Sequence, residues 1–376
     1  MNQSSNKSIF VTGAAGFIGH SLVKALLKAG YTVVGIDNIN DYYDINLKYA
    51  RLKDLGIERK KASLYNNPVN SENDTGFCFV RLDLEDAANL AALFAKYNFM
   101  SICHLGAQAG VRYSIKNPAA YVSSNVVGFT NILEECRKHK VEHLVYASSS
   151  SVYGLNARMP FSTHDAVDHP VSFYAATKRA NELMAHVYSH LYKLPTTGLR
   201  FFTVYGPWGR PDMSPMLFAD AIMHEKPIKV FNQGDMGRDF TYIDDIIEGV
   251  MRVLVKPSHT SGTEAAPNSL SEEEDVPIGS DTTTLDPSFS NCPYKIYNIG
   301  SSSPVRLGDY IAALEKALGK KAIKEYLPMQ PGDVKNTYCD ISELERDFGY
   351  RPQTTLEQGL KAFAEWYHWW EDQKVE

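Results

Sequence analysis

The chain has 376 residues, of which 44% are hydrophobic and 22% are charged, an ordinary composition for a globular protein with a sizeable core. The formal net charge is −6 and the basic residues are scattered, which argues against nucleic acid as a partner. No apolar run reaches the roughly 18 residues of a membrane span and no signal-peptide core opens the chain, so we expect no membrane partner and a cytoplasmic location.

The cysteines and histidines show no metal-binding or disulfide pattern. The five cysteines, Cys78, Cys103, Cys136, Cys292 and Cys339, are far apart and form no Cys-x-x-Cys pair. None of the 11 histidines stands in a His-Glu-x-x-His arrangement. We therefore predict no metal.

Strand-like and helix-like segments alternate in the first half of the chain. The predicted strands are Ser8–Val11, Tyr31–Ile36, Phe77–Leu82, Ser101–Leu105 and His143–Ala147, and the predicted helices are Phe17–Ala29, Ala87–Lys96 and Ala119–Lys138. This alternation predicts right-handed crossovers and a doubly wound parallel α/β sheet. The segment Asn38–Thr75 is long for a strand connection, so we expect a decorated excursion with a helix at Asp44–Leu55.

The second half of the chain has a different spacing. A long helix at Ser172–Tyr192 and a strand at Thr196–Phe201 are followed by shorter elements. We expect residues 1–200 to form a first lobe and residues 201–376 to form mainly a smaller α/β lobe. Within the latter, residues 258–291 are rich in Ser, Thr, Pro, Asp and Glu, which predicts a mobile surface insertion between a helix ending near Val255 and a strand at Lys295–Ile299.

A glycine-rich turn joins the first predicted strand to the first predicted helix. It reads Val11-Thr-Gly13-Ala-Ala-Gly16-Phe-Ile-Gly19. Such glycines permit a tight turn and let a pyrophosphate approach bare backbone, while the helix N-terminus offers free N–H groups to an anion. The pattern predicts a dinucleotide site, against the alternative of an ordinary glycine-rich turn.

Acidic residues follow the second and third predicted strands. The carboxylate of Asp37 can accept hydrogen bonds from both ribose hydroxyls and would repel a 2′-phosphate, and Asn38 adds no positive charge, so NAD is favoured over NADP. Asp83 is predicted to accept a hydrogen bond from the adenine amino group or, alternatively, to cap the helix that begins at Ala87.

Tyr174 and Lys178 are four residues apart in the predicted helix Ser172–Tyr192, so their side chains share one face. A tyrosine ordinarily ionises at about pH 10 and is a poor base at neutral pH. We expect the ammonium of Lys178 and a positive nicotinamide ring to lower the pKa of Tyr174 until it can act as a general base. Taken alone, a Tyr-x-x-x-Lys pair is common on amphipathic helices.

Four consecutive serines, Ser148 to Ser151, end the fifth predicted strand. They stand at the carboxyl edge of the sheet, where ligands bind in parallel sheets. Their hydroxyls can donate to a sugar oxygen, whereas the alternative is a serine-rich turn.

The glycine turn with Asp37, the serine strand end and the Tyr–Lys helix together resemble the extended short-chain dehydrogenase/reductase family, specifically its nucleotide-sugar epimerases and dehydratases. The resemblance covers nearly the whole chain apart from residues 258–291. It implies a Rossmann-type NAD lobe, a smaller lobe that holds the nucleoside diphosphate, and a homodimer formed through amphipathic helices that include Ser172–Tyr192. It also implies that Tyr174 removes a sugar hydroxyl proton while NAD takes the hydride and later returns it to the other face.

The resemblance assigns residues to cofactor and substrate. Tyr174, Lys178 and Ser149 are implied to be catalytic, with Lys178 also binding the nicotinamide ribose. Those implied to contact NAD are Gly13, Gly16, Phe17, Ile18, Gly19, Asp37, Asn38, Asp83, Leu84, Ala107, Gln108, Tyr174, Lys178 and Phe202. Those implied to contact the sugar nucleotide are Arg112, Ser149, Ser150, Ser151, Tyr174, Thr203, Arg210, Arg238 and Asp333.

Two stretches, at residues 104–114 and 202–213, resemble the branch of the family that acts on UDP-uronates. A sugar carboxylate in a dry cleft needs a cation and hydroxyl donors, which Arg210, Thr203 and Ser151 can supply. Arg112 is a second candidate cation. The alternative for either arginine is a surface ion pair.

The nucleotide end of the substrate is matched by two residues of the second half. Arg238 resembles the family's diphosphate-binding arginine, and Asp333 its uridine-ribose carboxylate. Several relatives carry a second phosphate-binding arginine where this chain has Gln330.

The residues after Ser149 separate the reactions of the family. Dehydratases carry Thr-Asp-Glu at this place and decarboxylating relatives carry a glutamate, whereas this chain has Ser150 and Ser151, so elimination lacks its usual acid and base. The resemblance thus implies 4-epimerisation between UDP-glucuronate and UDP-galacturonate. The alternatives are a 4-epimerase of UDP-N-acetylhexosamine or UDP-glucose, a net dehydrogenase, and a non-catalytic NAD(H)-sensing protein.

Overall fold

The computed structural model describes residues 8–257, 286–329 and 336–375. Their strands are β1 (Ser8–Thr12), β2 (Thr32–Asp37), β3 (Pro68–Asn70), β4 (Phe77–Arg81), β5 (Phe99–His104), β6 (His143–Ser149), β7 (Thr196–Phe201), β8 (Thr203–Tyr205), β9 (Pro227–Phe231), β10 (Gly237–Tyr242), β11 (Tyr294–Ile299), β12 (Pro304–Arg306), β13 (Ile323–Leu327) and β14 (Asn336–Thr337). Their α-helices are α1 (Phe17–Lys28), α2 (Ile45–Asp54), α3 (Arg59–Ala62), α4 (Ala87–Lys96), α5 (Tyr113–Lys116), α6 (Pro118–Tyr121), α7 (Gly128–Lys138), α8 (Phe173–Tyr192), α9 (Ser214–Met223), α10 (Ile243–Val255), α11 (Leu307–Leu318), α12 (Ser342–Phe348) and α13 (Leu356–Val375).

The large sheet has the strand order β11-β7-β6-β5-β1-β2-β4-β3. Its neighbouring strands run parallel, apart from the antiparallel edge pair β3–β4. The chain winds from β1 towards β2 on one side and later towards β5 on the other, which is the doubly wound arrangement that the alternation of strands and helices predicts. That prediction of fold class is confirmed, and the reversal between β1 and β5 marks where a ligand cleft is expected.

Helices cover both faces of this sheet because alternate side chains of each strand point to opposite faces. Along β1, Ile9 and Val11 belong to one apolar core, which also contains Ile246 of α10, while Phe10 belongs to a second core with Phe129 of α7. Each fully buried side chain of this kind contributes about 1.5–3 kcal/mol relative to an exposed one. The two cores hold the carboxyl ends of the strands at fixed positions.

The second half of the chain contributes to both the large sheet and smaller ones. Strand β10 pairs with β8, β12 and β14, and β9 pairs with β13. However, β11 joins the edge of the large sheet beside β7, and α10 packs on α1, β5 and β6. A division of the chain at residue 200 stays a proposal, and such a division has to assign Ile243–Val255 and Tyr294–Ile299 to the first lobe.

Two predicted segments differ in the structure. The predicted continuous helix Ala119–Lys138 contains a π-helical stretch at Val122–Val127, between α6 and α7. Of the predicted insertion 258–291, residues 258–285 lie outside the described residues. Residues 286–291 form a turn in which Ser288 is fully buried and donates to Asp286 Oδ1 at 2.6 Å, so this end of the segment is packed.

The described residues contain no helix that is both long and apolar enough to cross a membrane. The five cysteines are free and buried. Within the same described ranges, no cluster of three or more His, Cys, Asp or Glu side chains is arranged to hold a metal ion.

Candidate active site

A cleft of about 820 Å³ opens at the carboxyl ends of the large sheet's strands. Most residues predicted to bind cofactor or substrate line it. They are Gly13, Gly16, Phe17, Ile18, Gly19, Asp37, Asn38, Leu84, Ala107, Gln108, Arg112, Ser149, Ser150, Ser151, Tyr174, Lys178, Phe202, Thr203 and Arg210. Asp83 and Arg238 lie outside this lining, and Asp333 lies outside the described residues. The topology thus collects side chains from segments far apart in the sequence.

The glycine turn sits where the strand order reverses. Gly13 has a φ of +72°, and a Cβ there would lie 2.9 Å from the backbone nitrogen of Gly106, which follows β5. A Cβ on Gly19 would lie 2.0 Å from the carbonyl oxygen of Gly13, so only glycine lets α1 start so close to the turn. The first residue before α1 is Gly16, which offers no capping side chain to the first-turn N–H groups. This bare cradle fits the diphosphate of a dinucleotide.

Asp37 ends β2 and is nearly buried. One carboxylate oxygen accepts from the Ile39 N–H at 2.7 Å, and the ammonium of Lys48 lies 3.5 Å from the same oxygen. Lys48 also donates to Asn40 Oδ1 at 2.8 Å. Asn38 adds no positive charge, as the sequence indicates, but α2 brings the buried Lys48 to Asp37, so the preference for NAD rests on the Asp37 carboxylate.

Asp83 acts through a neighbour in this structure. It accepts a hydrogen bond from Asn38 Nδ2 at 2.9 Å, and Asn38 lines the cleft. The alternative role at the start of α4 belongs to Asp86, whose side chain accepts from the Asn89 N–H at 3.1 Å. The helix-cap alternative for Asp83 is thus excluded, and Asp83 supports the orientation of Asn38.

The π-helical stretch supports another cleft residue. It places Asn125 so that its side chain accepts from the Gln108 N–H at 2.8 Å and donates to the Gln108 carbonyl at 3.0 Å. The carbonyl of Asn125 accepts from Asn181 of α8 at 2.6 Å. A local widening of a helix at a functional site is typical of such stretches. Here it fixes the backbone of Gln108 against the catalytic helix candidate α8.

Tyr174 and Lys178 lie in the first two turns of α8, which begins at the capping residue Ser172. Lys178 Nζ donates to the carbonyl oxygen of Ala147 at 2.9 Å, and burial lowers the pKa of Lys178 to about 8. Burial also raises the pKa of Tyr174, while the positive charge of Arg210 and a hydrogen bond with Ser149 lower it. In the protein alone burial outweighs these effects, so the pKa of Tyr174 is raised and the cation that lowers it is Arg210; the lowering expected from Lys178 together with the nicotinamide ring stays a prediction.

The four serines at the end of β6 do not act alike. Ser149 Oγ accepts from the Ser151 N–H at 3.2 Å and lies 3.0 Å from Ser151 Oγ, within a 3₁₀ turn at Ser150–Tyr153. Ser148 instead donates at 2.6 Å to Glu182, so the prediction that all four hydroxyls can serve a sugar fails for Ser148. All four serines line the cleft, and Ser149, Ser150 and Ser151, which are not bound to Glu182, are its hydroxyl cluster.

A buried ion pair fixes α8 to the sheet. Glu182 of α8 and Arg200 of β7 are both fully buried, with Nε–Oε1 and Nη2–Oε2 distances of 2.9 and 3.0 Å. Because charged side chains are rarely buried without a partner, this bidentate pair fixes where the helix meets the strands. Glu182 lies one turn beyond Lys178, so the pair positions the turn that carries Tyr174 and Lys178.

Arg210 follows β8 and is 25% exposed at the side of the cleft. Its Nε and Nη2 donate to the two carboxylate oxygens of Asp212 at 3.0 and 2.5 Å. Asp212 also accepts from the Tyr42 hydroxyl at 3.0 Å. Arg210 thus forms an ion pair, as the alternative interpretation expects, and it also lines the cleft; its contact with a sugar carboxylate stays a prediction. Arg112 is exposed and lines the same cleft.

Arg238 lies on β10, where its Nη1 donates to the carbonyl oxygen of Gly237 at 2.9 Å. Beside it, β14 begins at Asn336, directly after the segment that contains Asp333. Of the two predicted nucleotide residues the structure places only Arg238, because Asp333 lies outside the described residues.

The sequence motifs missed several cleft residues. These are Tyr42, Tyr43, Lys48, Gly106 and Asp212. Gly106 and Asp212 stand within the stretches 104–114 and 202–213, which were a local signal, whereas Tyr42, Tyr43 and Lys48 reach the cleft from the excursion after β2. Together the cleft offers a buried phenol, an ammonium, hydroxyl donors and a guanidinium beside a dinucleotide cradle.

Comparison with known proteins agrees with this geometry. Residues 9–265 match the model of the NAD dependent epimerase/dehydratase family. The chain is 50% identical to Protein CapI of Staphylococcus aureus, with 96% of this chain and 98% of that protein covered, and 43% identical to a probable UDP-glucuronate 4-epimerase of Rhizobium meliloti, with 95% and 96% covered. Among solved structures, it is similar to a UDP-glucuronic acid 4-epimerase from Bacillus cereus in complex with UDP-glucuronic acid and NAD, at 32% identity and a TM-score of 0.75, with 96% of this chain and 99% of that chain covered.

Proposed function

The chain belongs to the NAD dependent epimerase/dehydratase family, and we propose that it is a cytoplasmic enzyme that interconverts UDP-glucuronate and UDP-galacturonate. The observation that carries the proposal is the position of Arg210, whose guanidinium lines the same cleft as Ser149, Tyr174 and Lys178. A sugar ring at the hydroxyl cluster can then turn its carboxylate to a partly buried cation, which offsets the desolvation of that carboxylate. The free cysteines fit a reducing compartment.

The cofactor is NAD, and the residues of the cleft fit it. The glycine cradle leaves backbone N–H groups open to the diphosphate, because Gly16 brings no side chain and a Cβ at Gly13 or Gly19 would collide with the backbone that forms the turn. Asp37 has its second carboxylate oxygen available in the cleft for the hydroxyls of the adenine-side ribose. When bound, NAD supplies a hydride acceptor at C4 of the sugar and the hydride for the return, so no net oxidation results.

The residues of the chain supply the proton transfers and the orientation. Tyr174 takes the proton of the 4-hydroxyl, and Ser149 donates a hydrogen bond to the same oxygen as it becomes a carbonyl. Lys178 is fixed by the Ala147 carbonyl and lines the cleft next to Tyr174, where it can bind a ribose hydroxyl. The sugar then presents its other face, and Tyr174 returns the proton to the epimeric hydroxyl.

Other residues of the chain bind the carboxylate, the diphosphate and the uridine ribose of the substrate. Arg210 binds the sugar carboxylate, with Thr203 and the hydroxyl of Ser151 as neutral donors, since these three line one cleft. Arg238 binds the diphosphate and Asp333 the uridine ribose, as the resemblance to the family implies. Arg112 is an exposed residue of the cleft lining, where it can attract the charged substrate.

Proton nuclear magnetic resonance tests the reaction directly. We expect the purified protein with UDP-glucuronate to produce the H4 and anomeric signals of UDP-galacturonate, and the reverse reaction to reach the same ratio, because an isomerase catalyses both directions. No NADH absorbance should accumulate. Parallel reactions with UDP-glucose and UDP-N-acetylglucosamine provide the comparison.

The other outcomes of this experiment separate the alternatives. Conversion of a neutral sugar nucleotide together with inert UDP-glucuronate would favour a hexose or N-acetylhexosamine epimerase. Accumulating NADH would indicate a net dehydrogenase. No turnover of any of the three would favour a non-catalytic NAD(H)-sensing protein, in which the Ser149, Tyr174 and Lys178 set has no evident use.

We also propose that the protein is a homodimer formed through α8. Leu183, Val187 and Leu191 lie four residues apart on one face of this helix and are 53%, 48% and 59% exposed. Such a contiguous apolar stripe is unfavourable in water unless it is covered. Val122 and Val127, exposed on the neighbouring π-helical stretch, extend the same kind of surface.

Charge on this helix face is expected to separate the subunits. Leu183→Glu combined with Leu191→Glu should shift the mass measured by sedimentation equilibrium from dimer to monomer, because burying two carboxylates without partners is strongly unfavourable. Ile323→Glu is the control, since Ile323 is equally exposed, at 53%, but lies on β13. A wild-type protein that sediments as a monomer would contradict the proposal.

A further inference from the structure

The excursion after β2, expected from the sequence to be a decoration, holds the turn that carries Arg210. Arg51 of α2 is fully buried and donates through Nη2 to the carbonyl oxygens of Trp208 and Gly209 at 2.6 and 3.3 Å. Its Nη1 donates to the Ala15 carbonyl in the glycine turn at 3.0 Å. One buried guanidinium thus ties the Arg210 turn to the cofactor cradle.

A second contact from the same excursion reaches the side chain beside Arg210. The Tyr42 hydroxyl donates to Asp212 Oδ2 at 3.0 Å, and that oxygen also accepts from Arg210 Nη2 at 2.5 Å. The ring of Tyr42 packs on Tyr113, with centroids 5.1 Å apart. Asp212 is therefore fixed from two sides, by the cation it pairs with and by a tyrosine held in an aromatic contact.

The way Asp212 binds Arg210 leaves part of the guanidinium available. A guanidinium can bind carboxylates along two edges, one formed by Nε and Nη2 and one formed by Nη1 and Nη2. Within the described residues, both hydrogen bonds of Arg210 to Asp212 use the first edge. The second edge belongs to the same rigid plane, so fixing the first edge also fixes the second.

We propose that Asp212, held by Tyr42, is a positioning residue for recognition of the sugar carboxylate: it fixes one edge of Arg210 so that the other edge receives that carboxylate. The inference rests on the proposed reaction with UDP-glucuronate. An arginine that must first be ordered loses side-chain entropy when it binds, and an arginine that is already fixed does not. The hydrogen bond from Tyr42 holds the Asp212 carboxylate in position when the substrate binds.

The pair also sets the charge around the base. Tyr174 is faced by Ser149 from β6, by the edge of the Tyr121 ring from α6, and by Arg210 and Asp212 from the turn after β8; Lys178 lies on its own helix. The charge of Arg210 lowers the pKa of Tyr174, and the charge of Asp212 raises it. Removing only the Asp212 charge should therefore lower the pKa of Tyr174, so that the phenolate persists to lower pH.

Two variants of the NAD-loaded enzyme test the proposal. Asp212→Asn should raise KM for UDP-glucuronate about tenfold, the effect of weakening one charge-assisted contact. In a plot of kcat against pH, the fall in kcat on the acid side should move to lower pH. Tyr42→Phe keeps the Arg210–Asp212 pair, so it should raise KM by a smaller factor without moving this fall in kcat. The inhibition constant of UDP, which has no sugar carboxylate, should be unchanged in both. Asp220→Asn, on the exposed face of α9, is the matched control and should resemble the wild type.

Each other outcome has a distinct meaning. A lower KM in Asp212→Asn would show that Asp212 competes with the substrate for Arg210, and would overturn the proposal. The proposal would also be overturned if Asp212→Asn changed neither KM nor the pH dependence of kcat, or if the lost activity were explained by weaker UDP binding and lower thermal stability. If the wild type does not turn over UDP-glucuronate at all, the proposed function fails and the inference falls with it, whereas turnover by the wild type with an unaffected Asp212→Asn variant rejects the inference alone.

Discussion

Replacing Tyr174 by phenylalanine is expected to lower kcat by roughly 10²–10⁴, the usual effect of losing a general acid–base group. The change removes one oxygen and keeps the ring, which packs edge-on against Tyr121 at a centroid distance of 6.0 Å. Folding and NAD content should therefore match the wild type. The measurement is the initial rate of UDP-galacturonate formation by nuclear magnetic resonance, with NAD released by denaturation and counted in the same preparation.

A matched control comes from the same strand that ends in the serines. Tyr146 of β6 is buried in the core, and its hydroxyl has no hydrogen-bond partner among the described residues. Tyr146→Phe thus deletes the same atom from a buried tyrosine and should leave kcat close to that of the wild type. A folded Tyr174→Phe protein whose kcat is also near normal would remove Tyr174 from the mechanism.

The large sheet could be predicted from the sequence because its strands are buried on both faces. Such strands read as short apolar runs, and Thr196–Phe201 was predicted with the bounds it has in the structure. The small strands were not predicted, because they depend on distant partners: Thr203–Tyr205 pairs with Phe240–Tyr242. The π-helical stretch at Val122–Val127 was also missed. Its hydrogen bonds are shifted by one residue, but its amino-acid composition does not differ from that of an ordinary α-helix.

The candidate site also contains residues that the sequence predicted and residues that it did not. Gly13, Tyr174 and Lys178 stand in motifs whose spacing within one segment carries their geometry, and the structure brings them into one cleft. Lys48 and Tyr42 come from an excursion whose path the sequence does not specify, so neither the ammonium beside Asp37 nor the contact with Asp212 could be foreseen. The contact of Lys178 with the Ala147 carbonyl could not be foreseen either, because the helix fixes the distance from Tyr174 to Lys178 but not what Lys178 binds.

Replacing Arg210 by alanine is expected to lower kcat/KM for UDP-glucuronate by roughly two to four decades, since leaving the substrate carboxylate without its cation once it is desolvated in the cleft costs about 3–5 kcal/mol. The loss has two sources. The substrate carboxylate loses its cation, and Asp212, still held by Tyr42, then presents an unpaired negative charge to it. The pKa of Tyr174 should also rise, because the charge of Arg210 lowers it, and the acid limb of kcat should move to higher pH.

Two further variants separate these sources, measured as kcat/KM with UDP-glucuronate. Arg210→Lys keeps the charge but loses the planar fork, so it should fall between the wild type and Arg210→Ala. Arg210→Ala combined with Asp212→Asn should recover part of the loss of Arg210→Ala, because the repelling carboxylate is gone. The double variant removes the repulsion without restoring the cation, so it should remain well below the wild type. If Arg210→Ala loses equal activity on UDP-glucuronate and on a neutral UDP-hexose that the enzyme turns over, Arg210 supports the fold or binds the diphosphate instead. If Arg210→Ala keeps wild-type activity on UDP-glucuronate, the sugar carboxylate is bound by Arg112 or by the hydroxyls.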